Sequence, residues 1–331
     1  MEGRGPCDLK TEPMSIHWLG EIGDEQADLV GGKGLGLARL VALGVPVPPG
    51  FCVSVEAYQR FIEDANLAST MERFFSGLNV SNLQTMGSQS AELQKSFLAA
   101  DVPPDLVREL DGAYLELAGL NGDAEPRVAV RSSATTEDLP GASFAGQHDT
   151  YLSVMGRTAL ADAVKHCWAS LWNFQAVHYR HANEIDHAHA LMSVVVQQMV
   201  PSVSAGVLFT ANPISGDVSE MIINASWGLG ESVAGGSVDP DTFVVDKVLN
   251  LVKARRIAFK ESSIEPATSS GTREAAVLPA YRNRPSLTDD QAVELGRLAI
   301  GIEEGRGTPQ DIEWAHDGSN FHILQARPIT T

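Results

Sequence analysis

The chain has 331 residues, more than one hydrophobic core usually serves, so two packed subdomains are the expectation. Hydrophobic residues at 44% and charged residues at 20% describe an ordinary globular protein. The formal charge of −18, from 24 basic and 42 acidic side chains, argues against nucleic acid or an anionic membrane as the main partner but leaves room for a local basic pocket.

Three cysteines (Cys7, Cys52, Cys167), odd in number and without Cys-x-x-Cys spacing, form neither a disulfide framework nor a zinc site and suit a reducing cytoplasm. No N-terminal apolar run reads as a signal peptide or a membrane span. Residues 1–14 mix Gly, Pro and charge without periodicity and are expected as a flexible tail. Residues 29–44 follow, with apolar positions Leu37, Leu40, Val41 and Leu43 suiting a helix that ends at Gly44 ahead of Pro46, Pro48 and Pro49. Its entrance, Gly31-Gly32-Lys33-Gly34, is no Walker A loop, since glycine follows Lys33, and no G-x-G-x-x-G, since position 37 is Leu. What remains is a lysine where helix-entrance N–H groups and a cation converge.

Phe51-Cys52-Val53 reads as a strand and 55–65 as a helix. Residues 66–125 read as mostly helical, with Pro103-Pro104 opening a helix at 105–117, and are expected to form an outer layer. The stretch from Arg131 to Gln147 lies between strands at 128–130 and 151–154. It holds Gly141, Gly146 and Pro140, with Arg131 at its mouth. Free backbone N–H groups and a permanent charge suit a polyphosphate; a long surface turn is the plainer alternative.

Residues 159–182 read as one or two amphipathic helices whose Trp168, Trp172, Phe174 and Tyr179 supply core. The nearby His178, His181, His187 and His189 lack an acidic or thiol ligand in register, so a solvated helix end is expected there rather than a metal site. Strands follow at 193–200, 206–210, 220–224 and 242–246, with a glycine-rich turn at 227–231. Residues 260–285, rich in Ser, Thr, Arg and Glu, are expected to be partly mobile. Thr288 caps a helix over 287–304, and two strands, 311–315 and 321–327, finish the chain.

Seven segments in order then carry a resemblance: Gly31-Gly32-Lys33-Gly34, Val130-Arg131-Ser132-Ser133-Ala134, Ser143-Phe144-Ala145-Gly146-Gln147, Phe209-Thr210-Ala211-Asn212-Pro213, Gly228-Leu229-Gly230-Glu231, Asp311-Ile312-Glu313-Trp314 and Gln325-Ala326-Arg327-Pro328-Ile329. The chain resembles the ATP-binding domain of the phosphoenolpyruvate synthase, pyruvate phosphate dikinase and rifampicin phosphotransferase family over about residues 16–330. The resemblance implies an α+β ATP-grasp fold in which two subdomains, 15–190 and 191–331, clasp Mg·ATP. It implies that Lys33 and Arg131 hold phosphates and that the loop with Gly141, Ser143, Gly146 and Gln147 folds over them, mobile without nucleotide. Gln197 and the backbone of Gln198, Met199 and Val200 would read adenine. Glu231 would join the nucleotide site or serve only its turn, Glu313 and Gln325 would bind Mg2+, and Arg327 would neutralise charge on the transferred group. Thr210 is equally readable as a turn residue.

In such relatives the β-phosphoryl of ATP passes to a histidine on a separate carrier domain, with AMP and phosphate released overall. That histidine then phosphorylates a small acceptor such as pyruvate or an antibiotic hydroxyl. The carrier's Thr-Ser-His-type motif is absent from this sequence, so the carrier is expected in trans or on a segment outside these residues. An ATP-grasp ligase that releases ADP, and a non-catalytic nucleotide-binding module, are the alternatives.

The terminal hairpin permits a geometric expectation. Side chains alternate faces along a strand, so Glu313 and Gln325 can meet one ion only if the register puts them on the same face. A two-residue turn at Asp317-Gly318 would separate them. A five-residue loop, 316–320, pairs Ala315 with Phe321 and Glu313 with Ile323, leaving Gln325 diagonal at about 7–8 Å.

Overall fold

The computed structural model describes residues 15–135 and 149–329. The expected N-terminal tail and the loop residues Gly141, Ser143, Gly146 and Gln147 lie outside the described residues. Strand β1 (Ile16–Trp18) is followed by helix α1 (Ala27–Ala42) and strand β2 (Gly50–Val53). Four helices come next: α2 (Val55–Asp64), α3 (Ala68–Gly77), α4 (Leu83–Ala99) and α5 (Pro104–Asn121), the last opened by Pro104 within its first turn. Then come β3 (Val128–Ala134), β4 (Thr150–Val154), α6 (Arg157–Ser170), α7 (Phe174–Ala182) and β5 (Met192–Gln198).

These strands form one antiparallel sheet in the order β1-β2-β5-β3-β4. Strand β5, which the sequence suggests as the start of the second half, is its middle strand, and the chain leaves this sheet only after Gln198. The run of valines explains its place, because a central strand buries both faces. Val194 and Val196 join Val128 and Val130 against Phe61, Phe97, Trp168 and Trp172 under the helical layer, whereas Val195 faces the opposite side. Trp172 donates its indole N–H to the Tyr58 hydroxyl at 3.0 Å, which satisfies a polar atom inside that core.

The second half contributes β6 (Ser204–Phe209), β7 (Glu220–Trp227), the short helix α8 (Glu231–Ala234), β8 (Asp241–Asp246), β9 (Leu251–Arg256), β10 (Ser262–Pro266), β11 (Thr272–Ala276), helix α9 (Asp289–Arg306), β12 (Gln310–His316) and β13 (Phe321–Pro328). Six of these strands form a second antiparallel sheet, β13-β12-β6-β7-β8-β9, and β10 and β11 pair with each other. The segment expected to be mobile is therefore a hairpin in its larger part. Helix α9 starts at Thr288, which accepts the Gln291 N–H while the Gln291 side chain accepts the Thr288 N–H, and it ends at Gly307 with φ of 72°. Helices and antiparallel sheets together make an α+β protein, and among the described residues no helix is long and apolar enough to cross a membrane.

Helix α1 joins the two sheets. Its Leu37 and Leu40 share a core with Val195 of the first sheet and with Leu208, Ile223 and Trp314 of the second. The helix is interrupted at Gly31 (φ 67°, ψ 177°), a conformation open in practice only to glycine. A Cβ there would meet the Ser133 carbonyl oxygen of β3 at 2.3 Å. Ser133 Oγ donates to the Val30 carbonyl at 2.8 Å and accepts the Gly34 N–H at 3.2 Å. The glycine-rich turn thus lies flat on β3, two residues from Arg131.

Candidate nucleotide-binding cleft

Between the two sheets is a cleft of about 580 Å3. Every described residue that the sequence assigned to a nucleotide or metal lines it: Lys33, Arg131, Gln197, Gln198, Met199, Val200, Glu231, Glu313, Gln325 and Arg327. Strand alternation accounts for the first wall. Val128 and Val130 enter the helical core, so Ala129 and Arg131 point the other way, into the cleft. Arg131 sits in mid-strand rather than at the mouth of a loop, because β3 continues to Ala134. That placement fixes the guanidinium more firmly than a loop could.

The opposite wall is the terminal hairpin, where the expected register is corrected. His316, not Ala315, faces Phe321, and the loop has four residues. This register alone would put Glu313 opposite Leu324. A bulge between Glu313 and Trp314 restores the shared face by leaving Leu324 unpaired, so that Glu313 stands directly opposite Gln325. Alternation cannot reveal an inserted residue of this kind, and only the requirement that both side chains share a face hinted at it.

Arg131 closes the cleft's inner end. Its Nη2 donates to Glu313 Oε2 and to Gln325 Oε1, both at 2.7 Å, and its Nη1 donates to the carbonyl of the bulged Leu324 at 3.1 Å. The Arg131 side chain is 10% exposed and that of Glu313 32%, so the pair is screened from water on one side only. Next along the same strand face, Arg327 donates Nε and Nη2 to Asp311 Oδ2 at 2.9 and 2.8 Å. Asp311 and Arg327 are register partners, two residues on from Glu313 and Gln325. Burial pushes the Asp311 carboxyl above the usual carboxylate range, against the pull of Arg327, and the nearby Glu313 charge adds to the rise. The sequence motif Asp311-Ile312-Glu313-Trp314 assigns no role to Asp311. Its spacing from Glu313, two residues along a strand, was the available signal.

Where the chain leaves the first sheet, backbone groups are partly committed. The Gln198 N–H donates to Pro49 O at 2.9 Å and the Met199 N–H to Arg127 O at 2.8 Å, and among the described residues the Val200 N–H has no acceptor. Buried Gln197 makes a long 3.5 Å side-chain contact to Pro48 O. Apolar lining comes from Ala129, Leu152, Val200, Ala205, Leu229 and Leu324. Thr210 does not line the cleft: it accepts the Gln310 N–H through its hydroxyl at 2.8 Å and ties β6 to β12, a structural role.

The histidine-rich stretch lies elsewhere. Among the described residues no cluster of His, Cys, Asp and Glu could hold a metal ion. His187 instead accepts the Nε–H of buried Arg180 at 3.1 Å. Burial pushes the His187 imidazolium down to about 4, and the Arg180 charge adds to the drop.

Comparison with known proteins places this geometry. Residues 27–331 match the family described as pyruvate phosphate dikinase, AMP/ATP-binding domain. The chain is 40% identical over 316 residues to a probable phosphoenolpyruvate synthase of Methanocaldococcus jannaschii, covering 96% of this chain and 27% of that protein. It is 42% identical over 352 residues to the phosphoenolpyruvate synthase of Aeropyrum pernix, covering 96% of this chain and 43% of that protein. It is 42% identical over 314 residues to the rifampicin phosphotransferase of Streptomyces sviceus, covering 95% and 35%. The chain thus spans less than half the length of these relatives. With the match running over nearly its whole length, the chain belongs to the pyruvate phosphate dikinase AMP/ATP-binding domain family.

Proposed function

We propose that this chain is the Mg·ATP-binding part of a dikinase-type phosphotransferase with an ATP-grasp fold, the two sheets with their helices being the two clasping subdomains. The observation that carries the reading is the convergence of Arg131, Glu313, Gln325 and the Asp311–Arg327 pair on one cleft that Lys33 also lines.

Arg131, a rigid planar fork, and Lys33, a compact charge, hold the polyphosphate, and Arg327 lies where negative charge builds on the transferred group. Glu313 Oε2 and Gln325 Oε1 converge on Arg131 Nη2 at 2.7 Å each, so two hard oxygens of the kind Mg2+ prefers already share one face. They would hold Mg2+ in place of that N–H group, and the ion would supply charge neutralisation to the phosphates. The apolar wall from Ala129 to Leu324 excludes water and seats the base. Of the hinge amides, that of Val200 is the donor left for the adenine edge, since Gln198 and Met199 are committed. Glu231, which also lines the cleft, joins the nucleotide site.

The phosphoryl acceptor is a histidine on a carrier domain, to which the β-phosphoryl passes with AMP and phosphate released overall. The final acceptor is a small molecule, pyruvate or an antibiotic hydroxyl, as the names of the relatives suggest. The test is incubation of the chain with Mg·ATP, with and without the histidine domain of a relative, and quantification of AMP, ADP and phosphohistidine. Carrier-dependent AMP and phosphohistidine are expected. ADP formed with a carboxylate substrate, or ATP binding without turnover in the presence of the carrier, contradicts the proposal.

A further inference from the structure

The β10–β11 hairpin leaves the second half of the molecule and ends on the first. Midway along β10, the Leu229 N–H donates to Ile264 O at 2.8 Å, and Gly228 (φ 78°) lies so close that a Cβ would meet that oxygen at 2.4 Å. Beside it, Thr272 Oγ1 donates to Glu231 Oε2 at 3.3 Å, on the helix α8 that lines the cleft.

The tip is held by the edge strand of the other sheet. Arg127 Nη1 donates to Ser269 O at 3.0 Å and to Ser153 Oγ at 2.6 Å, and its Nη2 donates to Thr268 O at 3.2 Å. The Gly271 N–H donates to Ser153 O at 2.9 Å. Ser270 Oγ accepts the Met155 N–H at 3.0 Å and donates to Met155 O at 3.2 Å. Ser153 is buried yet left-handed at φ 57°, and it sits where β3–β4 pairing jumps from Val130–Tyr151 to Val128–Val154. This is a bulge, a device that re-aims a strand's polar groups. A non-glycine residue keeps such a conformation only where its surroundings hold it. Here the Ser153 hydroxyl and carbonyl are both engaged by the tip or by the arginine that grips it.

Arg127 is the node of this arrangement. Its side chain grips the hairpin tip, while its own carbonyl accepts the Met199 N–H at the hinge that lines the cleft. The cleft wall built from Thr150 and Leu152 is thereby tied to the wall built from Leu229 and Glu231.

We propose that the β10–β11 hairpin is a strap joining the two walls of the cleft, and that Arg127 is a positioning residue whose grip on the strap sets the rate of nucleotide exchange. The proposal rests on the cleft being the ATP site. Separating the walls to admit or release a nucleotide requires the tip to leave Arg127 and Ser153, because the middle of β10 is fixed to the Gly228-Leu229 turn on the other side. Release exposes a guanidinium, hydroxyls and backbone N–H and carbonyl groups, all of which water solvates readily, so the clasp can open without uncovering apolar core.

Two measurements on the same chain test this: hydrogen exchange of residues 262–276 without ligand, and association and dissociation rates of a fluorescent ATP analogue with Mg2+. Arg127→Ala is expected to raise exchange at 267–271 at least tenfold, with strand β5 unchanged, and to raise both nucleotide rates at least fivefold. Arg127→Lys, which keeps one donor group but not the fork, is expected to fall between. Should Arg127→Ala not fold, Ser270→Ala removes the tip's serine contacts alone and is expected to move the same readouts by about twofold. Faster exchange at the tip with unchanged nucleotide rates overturns the gating role, and unchanged exchange overturns the clasp. If the wild-type chain binds no nucleotide, the ATP reading has failed; a faster-exchanging tip in Arg127→Ala then still identifies the clasp as real, which separates the two failures.

Discussion

Arg131 is held by three acceptors, and only Glu313 among them carries a charge. Replacing Glu313 with Gln keeps an acceptor and removes that charge. Because Glu313 is about one-third exposed, the stability loss is expected at about 1–2 kcal/mol, below the ~3–5 kcal/mol typical of breaking a fully buried pair. Carrier-dependent AMP formation by the same variant is expected to fall about a hundredfold or more, the scale of losing one electrostatic group aimed at the transition state. Urea unfolding and AMP assay of Glu313→Gln check both; unfolding in place of inactivity makes the residue structural. Asp311 behaves differently. Burial already opposes its charge, so Asp311→Asn is expected to leave stability unchanged or slightly higher. Arg327 then keeps an acceptor but loses the charge that holds its two donors on one oxygen, and AMP formation is expected to drop about tenfold, or ~1.4 kcal/mol of barrier.

At the scale of elements, two places show what sequence patterning reads and what it does not. The short apolar run 128–130 was legible as a strand, but its continuation to Ala134 was not, so Arg131 was read at a loop mouth and the alternation that turns it away from Val128 and Val130 emerged only with the strand's full length. The β12–β13 register was not legible, because the residue that corrects it, Leu324, is an apolar residue in an apolar run and nothing in its identity announces a bulge. The pairing of β10 with β11 was not legible for a related reason. A two-stranded ribbon with no core face has no hydrophobic period, and Ser, Thr, Arg and Glu at 262–276 look like coil until their partners in the other half are known. Its base is anchored by chemistry that composition hides. Lys260 and Asp241 are both fully buried, with Lys260 Nζ donating to Asp241 Oδ1 at 2.5 Å and Asp241 also accepting the N–H groups of Ala258 and Ser286. Asp241→Ala leaves a buried ammonium without its counter-charge, with only the Ala258 carbonyl as acceptor, and strips the Ala258 and Ser286 N–H groups of theirs; it is expected to cost about 3–5 kcal/mol in urea unfolding. Adding Lys260→Met is expected to recover part of that loss; no recovery would show that the pair itself is not what Asp241 supports. Helix α7 carries a pH dependence. The His187 imidazole must be neutral to accept from Arg180, and its folded value of about 4 lies below the ordinary 6.5. The unfolded chain therefore binds more protons between these values. The stabilisation is fully present above pH 6.5 and is lost as pH falls through about 4. His187→Asn, which keeps an acceptor without titrating there, is expected to flatten this part of the pH–stability curve; an unchanged slope contradicts the assignment.

For the whole molecule, the two sheets act together because helix α1, the strap and the Arg131 bonds across the cleft all connect them. The interruption of α1 at Gly31 lets its amino-terminal turn lie on β3 while its remaining length packs against the second sheet. The motif Gly31-Gly32-Lys33-Gly34 was legible as a binding turn; that it is also the joint between halves was not, since the need for glycine comes from Ser133, about a hundred residues away. The central claim is that the cleft between the sheets is the ATP site and that Arg131 grips its phosphates. The most direct measurement is calorimetric titration of the wild-type chain and of Arg131→Met with ATP and with AMP in the presence of Mg2+. One ATP site is expected, with an affinity that falls at least tenfold in the variant while AMP affinity is little changed, because only the polyphosphate reaches Arg131. Equal loss for both nucleotides, or no loss for ATP, would contradict it.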